Sequence, residues 1–293
     1  MNITAQAVKE LREMTGAGMM DCKKALVASD GDMDAAVKWL RENGIMKAQK
    51  KEARIAAEGV CTYLTRGNEA VIYEVNSETD FVAKNEKFQG YVAKIGQALL
   101  DAKANNDEDA LSATIDGVTV KDILVDATAT IGEKISLRRV NYVTKKDSQV
   151  FGGYIHMGGK IAVLDILEGA DEMVAKDVCM HVAAMNPKYL DETQVDPEFL
   201  ASETEIIKQE TLNEGKPANI VDKIVAGKVH KMLKEICLVD QMFVKNQDIT
   251  VGQYVEGNKG KVLCYIRLEV GEGIEKRKDD FAAEVAAAVA AAK

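Results

Sequence analysis

The sequence predicts an α+β protein with antiparallel sheets, and three observations carry that expectation. The first 55 residues space their apolar side chains with helical periodicity. From residue 58 the spacing becomes strand-like around short turns rich in glycine. The resulting strand–turn–strand–helix order then returns 92 residues later. The expected parts are a three-helix N-terminal module (1–55), a first core subdomain (56–143) and a second (144–188 with 238–272). A helical hairpin is inserted at 189–237, and a C-terminal helical module occupies 273–293.

In chain order, Thr4 is placed to cap a helix whose inner face carries Ala7, Val8 and Leu11. Thr15-Gly16-Ala17-Gly18 ends it, because glycine enters left-handed backbone at little cost. A second helix is expected over 19–28, and a turn at 29–32 offers Asp32 as the next cap. The third helix carries Ala36, Val37 and Leu40 inward, and Asn43-Gly44 is expected to close it. Residues 45–57 read as a further, basic helix bearing Lys47, Lys50, Lys51 and Arg54. Two readings of it stay open: a solvated connector, or a contact for an acidic partner surface.

Residues 59–64 and 70–75 form a predicted hairpin about Thr65-Arg66-Gly67-Asn68. A helix beginning near Asp80 carries Phe88, Val92, Ile95 and Leu99. A variable helical stretch then leads to Ile131-Gly132-Glu133-Lys134 and a strand over 135–143. The second copy opens with strands at 152–157 and 161–167 around Gly158-Gly159-Lys160 and closes with a strand at 261–270. A shift of 92 residues lays Gly67 on Gly159 and Ala70-Val71 on Ala162-Val163. It also lays Thr79 to Lys84 on Asp171 to Lys176, where Phe81 faces Met173. In the inserted hairpin one arm carries Ile206, Ile207 and Leu212, the other Ile220, Ile224, Val225, Val229 and Met232, and Gly215-Lys216-Pro217 makes the tip. Two arms alone bury little, so one apolar face is left either for a second copy or for the body of the chain. Asp279-Asp280-Phe281 and the Ala-rich tail read as a helix with its acids at the favourable end.

Composition narrows the function. Hydrophobic residues are 47% of the chain and aromatics only 5%, so aliphatic side chains must fill the cores. A net charge of −9 repels phosphate backbones and argues against direct nucleic-acid binding. No apolar run reaches the roughly 18 to 20 residues of a membrane span, and the first residues show no signal core. The scattered cysteines (Cys22, Cys61, Cys179, Cys237, Cys264) form no CxxC pair, which fits a reducing cytoplasm better than a disulfide or zinc framework. Neither GxxxxGK[ST] nor HExxH occurs. Nothing points to covalent catalysis or to a resident cofactor.

Two longer stretches are more specific. Residues 15–26, Thr-Gly-Ala-Gly-Met-Met-Asp-Cys-Lys-Lys-Ala-Leu, resemble the first signature of the elongation factor Ts family, and residues 76–85, Asn-Ser-Glu-Thr-Asp-Phe-Val-Ala-Lys-Asn, resemble its second. Residues 180–184 and 269–276 match further segments, in the family's order. The resemblance implies a UBA-like N-terminal module and nucleotide exchange on elongation factor Tu, with no cofactor of the chain's own. It also implies dimerisation through the hairpin at 189–237. It places Thr79, Asp80, Phe81 and Val82 at the partner's nucleotide-binding domain, where Phe81 wedges between side chains and disturbs the Mg²⁺ site. Arg12, Met19, Met20 and His156 match further partner contacts. A blander reading of the central element remains, with Asp80 capping a helix and Phe81 packed in the core; Met173 in the other copy weakens it. The competing class is an interaction scaffold without exchange activity.

Overall fold

The structure, a computed structural model, describes residues 3–215 and 217–275. The expected C-terminal helix lies outside the described residues from 276 onward, as does Lys216 at the hairpin tip. By compactness the chain forms two units. Residues 3–60, Tyr73–Val140 and 270–275 make the first, and Cys61–Ile72 with Asn141–Glu269 the second.

The N-terminal module is α1 (Ala5–Thr15), α2 (Met19–Ala28) and α3 (Met33–Gln49). Thr4 accepts the Ala7 N–H, Asp32 accepts that of Ala35, and Gly16 stops α1 in left-handed backbone at φ 68°. Val8, Leu11, Cys22, Ala25, Leu26 and Ala36 are its buried core. One expectation fails here: α3 does not close at Asn43-Gly44 but continues to Gln49. Gly44 is a contact rather than a stop, since a Cβ there would lie 3.2 Å from the Ala129 methyl. The helix expected from residue 45 is therefore the end of α3, followed by turns. Its basic side chains largely fasten the first unit internally. Lys47 pairs with Asp21 at 2.8 Å, Lys51 donates to the Gly132 carbonyl, and Arg54 meets both Glu78 oxygens at 3.2 Å.

The first repeat comprises β1 (Glu58–Arg66), β2 (Glu69–Ser77), α4 (Asp80–Ala83), α5 (Glu86–Ala102), α6 (Asp107–Ser112), β3 (Thr114–Ile115), β4 (Val118–Thr119), α7 (Val120–Ile131) and β5 (Ser136–Thr144). The second comprises β6 (Gln149–His156), β7 (Ile161–Glu168), α8 (Glu172–Met185), α9 (Pro197–Asn213), α10 (Ala218–Ile236), β8 (Met242–Phe243), β9 (Asn246–Thr250), α11 (Val251–Gly257) and β10 (Lys261–Glu269). Each copy has a three-stranded sheet, ordered β1-β2-β5 in one and β10-β7-β6 in the other, with β7 antiparallel to both neighbours. The middle strands start at Glu69 and Ile161, the 92-residue shift of the sequence.

The repeat also extends beyond the strands and helices that periodicity reveals. In each copy a short two-stranded ribbon, β3–β4 or β8–β9, runs straight into a helix capped by threonine. Thr119 accepts the Asp122 N–H at the head of α7, and Thr250 accepts that of Gln253 at the head of α11. In the inserted hairpin Thr211, Val221, Val225 and Leu233 are buried, while Ile206, Leu212 and Ile220 stay exposed.

Helices lie very close to the sheets. In the second copy α8 rests on β6 at Gly152, where a Cβ would fall 2.3 Å from the Asp165 carboxylate and 2.5 Å from the Ala175 backbone. Backbone cannot yield as a side chain can, so Gly152→Ala should cost about 1–3 kcal/mol or more in denaturant unfolding. Asp165 itself is 1% exposed, and its Oδ1 accepts the Gly152 N–H at 2.8 Å. Burial pushes its carboxyl up to about 8. A carboxyl that titrates higher folded than unfolded stabilises fully below about pH 4, and that contribution is lost as pH rises through the folded value. The difference in unfolding free energy between the parent and Asp165→Asn should therefore shift against the parent as pH rises from about 4 to about 8, by at most about 1.4 kcal/mol per pH unit.

Candidate functional site

The candidate site is built on the passage from β2 into α5. Ser77 Oγ donates to the Thr79 carbonyl at 2.9 Å. Thr79 then turns both of its donors on one carboxylate: its N–H reaches Glu133 Oε2 at 2.9 Å and its hydroxyl reaches Oε1 at 2.7 Å. One residue earlier the exchange runs the other way, for the Lys134 N–H donates to Glu78 Oε1 at 2.7 Å. Beyond the turn, the buried Ala83 accepts Gln89 Nε2 at 2.6 Å, and Asn85 accepts the Lys87 N–H at 2.9 Å to start α5. α4 is thus one helical turn held at both ends. Phe81 stands out from it 81% exposed, beside a half-buried Val82, and Asp80 lies 3.7 Å from Lys84.

One expectation changes here, and the blander reading of the element fails. The helix anticipated from Asp80 is interrupted at Lys84 and Asn85, where the matching α8 runs unbroken from Glu172 to Met185. Asparagine explains the break, because its side chain competes for backbone N–H groups and favours a new helix start. Asp80 does not cap α4; Thr79 holds that position, and with its hydroxyl committed to Glu133 no side chain caps the turn. Nor does the Phe81 ring pack in the core. Its counterpart Met173 is exposed as well, at 69%.

Arg12, Met19 and Met20 are exposed on the N-terminal module, in the same unit as Thr79 to Val82. Lys87 Nζ donates to the Gly16 carbonyl at 3.2 Å, so the glycine loop of the first signature is tied to the start of α5, just past the second. His156 ends β6 in the other unit, half-buried, with Nδ1 3.3 Å from the Tyr154 hydroxyl. Sequence reasoning missed Glu133. It reads Ile131-Gly132-Glu133-Lys134 only as the passage from a helical stretch to a strand; Gly132 ends α7 there at φ 92°. The one clue lay in Glu78, its reciprocal partner, inside the second signature.

Among the described residues no group of three or more His, Cys, Asp and Glu side chains is placed to hold a metal ion, and no helix is long and apolar enough to cross a membrane. The family model described as Elongation factor TS matches residues 78–272, two thirds of the chain. The chain belongs to that family. The matched span opens at Glu78, where the hold on α4 begins. It closes at Glu272, whose carboxylate accepts from Arg139 at 2.7 Å. Membership in the elongation factor Ts family implies a nucleotide exchange role toward elongation factor Tu, a task of binding rather than of covalent chemistry.

Because Phe81 touches so little of its own protein, Phe81→Ala should change unfolding free energy by no more than about 0.5 kcal/mol. Phe88→Ala, seven residues on and fully buried, should cost about 3–5 kcal/mol in the same denaturant titration.

Proposed function

We propose that this chain binds elongation factor Tu in its GDP form and expels the nucleotide by pressing Phe81 into the nucleotide-binding domain. The observation that carries the reading is the exposed aromatic ring on a turn hydrogen-bonded at both ends. A phenylalanine left in water forgoes about 1.5–3 kcal/mol of burial, and an anchor of this kind recovers it only in a partner's pocket. Asp80 and Val82 flank the ring at that contact. Arg12, Met19, Met20 and His156 supply further contact surface.

In this mechanism the chain forms and breaks no covalent bond. Phe81 occupies space among the partner side chains that support its Mg²⁺. That ion bridges the phosphates of GDP, so loosening it removes a large local charge from the nucleotide site. The free energies are reciprocal: the factor by which this chain weakens GDP binding is the factor by which GDP weakens binding of the chain. GTP in excess then fills the emptied site by mass action. The exposed Ile206, Leu212 and Ile220 of the hairpin are the surface through which two copies would pair, and the cytoplasm is the compartment in which the exchange takes place.

Release of labelled GDP from purified elongation factor Tu tests the reading. Addition of the chain should accelerate release, and an unchanged rate would leave only a binding scaffold. Phe81→Ala should slow stimulated release by about 30- to 1000-fold, the equivalent of the 2–4 kcal/mol typical of an aromatic interface anchor. A variant working at full rate would remove the wedge.

A further inference from the structure

The structure assigns Glu133 a positioning role: its carboxylate fixes Thr79 and thereby sets where Phe81 meets the partner. The inference rests on the proposed exchange reading for its consequence, but its physical basis is separate. Four residues of α4 cannot hold a helical turn alone, since helix nucleation is unfavourable and pieces this short do not persist in water. Side chains must hold it, and the Thr79 hydroxyl, which at a helix start would ordinarily accept from the turn's own N–H groups, here donates outward to Glu133 Oε1 at 2.7 Å. The Thr79 N–H uses the second oxygen at 2.9 Å. Both bonds run to a half-buried acceptor, the charge-assisted kind that is shorter and about twice as strong as a neutral one.

The hold is reciprocal, which makes it a latch rather than a single contact. Glu78 accepts the Lys134 N–H at 2.7 Å while Glu133 accepts that of Thr79, so each loop clamps the backbone of the other. Arg54 steadies Glu78 through both oxygens at 3.2 Å, and Lys134 Nζ reaches the carbonyls of Glu52 at 2.5 Å and Arg54 at 3.0 Å. Glu133 acts through Phe81, two residues beyond Thr79, as a positioning residue.

Two measurements on the full chain test this. In the free protein, amide hydrogen exchange is read at Thr79, whose N–H Glu133 accepts, and at Lys84 and Asn85, whose N–H groups close the turn on the Phe81 and Val82 carbonyls. It should quicken about tenfold or more in Glu133→Ala and less in Glu133→Gln, which keeps one acceptor oxygen. Unchanged protection would overturn the latch, whatever the exchange activity does. In the GDP-release assay, Glu133→Ala should lower stimulated release about tenfold on the parent background and less than twofold on Phe81→Ala. The same loss on both backgrounds would overturn action through Phe81 and make Glu133 an independent contact or a general support. No loss on the parent would overturn its role in exchange. Phe81→Ala alone reads the wedge separately: a fully active Phe81→Ala sinks the proposed function and the positioning role with it, while the amide measurement still decides whether the latch exists.

Discussion

A single buried carboxylate closes the first core. Glu74, in the middle of β2, is fully buried, and an ion in that position costs several kcal/mol unless its partners are in place. Here they are. Oε1 accepts the Gly271 N–H and Asn76 Nδ2, both at 2.7 Å, and Oε2 accepts Arg139 Nε at 2.8 Å with the Arg138 guanidinium 3.7 Å away. Strands β2 and β5 and a segment 197 residues downstream are thereby gathered on one charge. The backbone bends to meet it. Arg139 adopts left-handed backbone at φ 52°, and Gly271, at φ 76°, sits where a Cβ would come 2.3 Å from the Ala57 carbonyl. Asn76, held by Glu74, also donates to the Glu58 carbonyl at 3.2 Å. The chain that turns into α4 therefore leaves from a strand end already fixed on both sides.

The second copy shares the topology and reaches it by other chemistry. At the position of Tyr73, whose hydroxyl donates to the Val92 carbonyl at 2.9 Å under α5, it has Asp165 under α8. Burial pushes that carboxyl up to about 8, against the opposing hydrogen bond from the Gly152 N–H. The buried His181 is a neutral imidazole by its hydrogen bonds. The Val244 N–H donates to His181 Nδ1 at 3.2 Å, so the proton sits on Nε2 and is donated to Gln241 Oε1 at 2.9 Å, and burial holds the imidazole below its ordinary range. Glu74 is met by two guanidinium groups, whereas Asp165 is met by a backbone N–H and His181 by an amide. The exposed aromatic turn belongs to the copy that carries Glu74.

What could be read from the sequence was whatever a few neighbouring residues decide. Thr4 and Asp32 cap helices where expected, and Asp171 does the same for α8, each accepting an N–H three residues on. The β1–β2 turn falls at Gly67-Asn68. What could not be read depends on distant chain. Gly44 looks like a stop until Ala129, on another helix, is brought against it. Strands of two residues, as in β3, β4 and β8, are too short to show a period. The site divides in the same way. Phe81 stood out because the repeat places a methionine at the matching position, which showed that the fold does not need an aromatic there. The means of holding it did not stand out, because Glu133 lies 54 residues from Thr79 and looks like any acid after a helix.

The comparison between Phe81 and Met173 carries the argument furthest. Both are exposed, and both follow an acid at a helix start. Methionine has three rotatable bonds and adapts to whatever surface it meets; phenylalanine has two and presents one flat face. On a continuous helix such as α8 either could serve as an adaptable contact. On α4 the helix has been cut after a single turn, and the detached piece is bound at both ends by side chains from other elements. Ordering a loop and a ring at the moment of contact costs about 0.5–1.5 kcal/mol per side chain and more for backbone. A turn already fixed in the free protein escapes most of that cost. The broken helix makes sense if the ring must arrive at one place in one orientation, as displacing a neighbour's packed side chains would require.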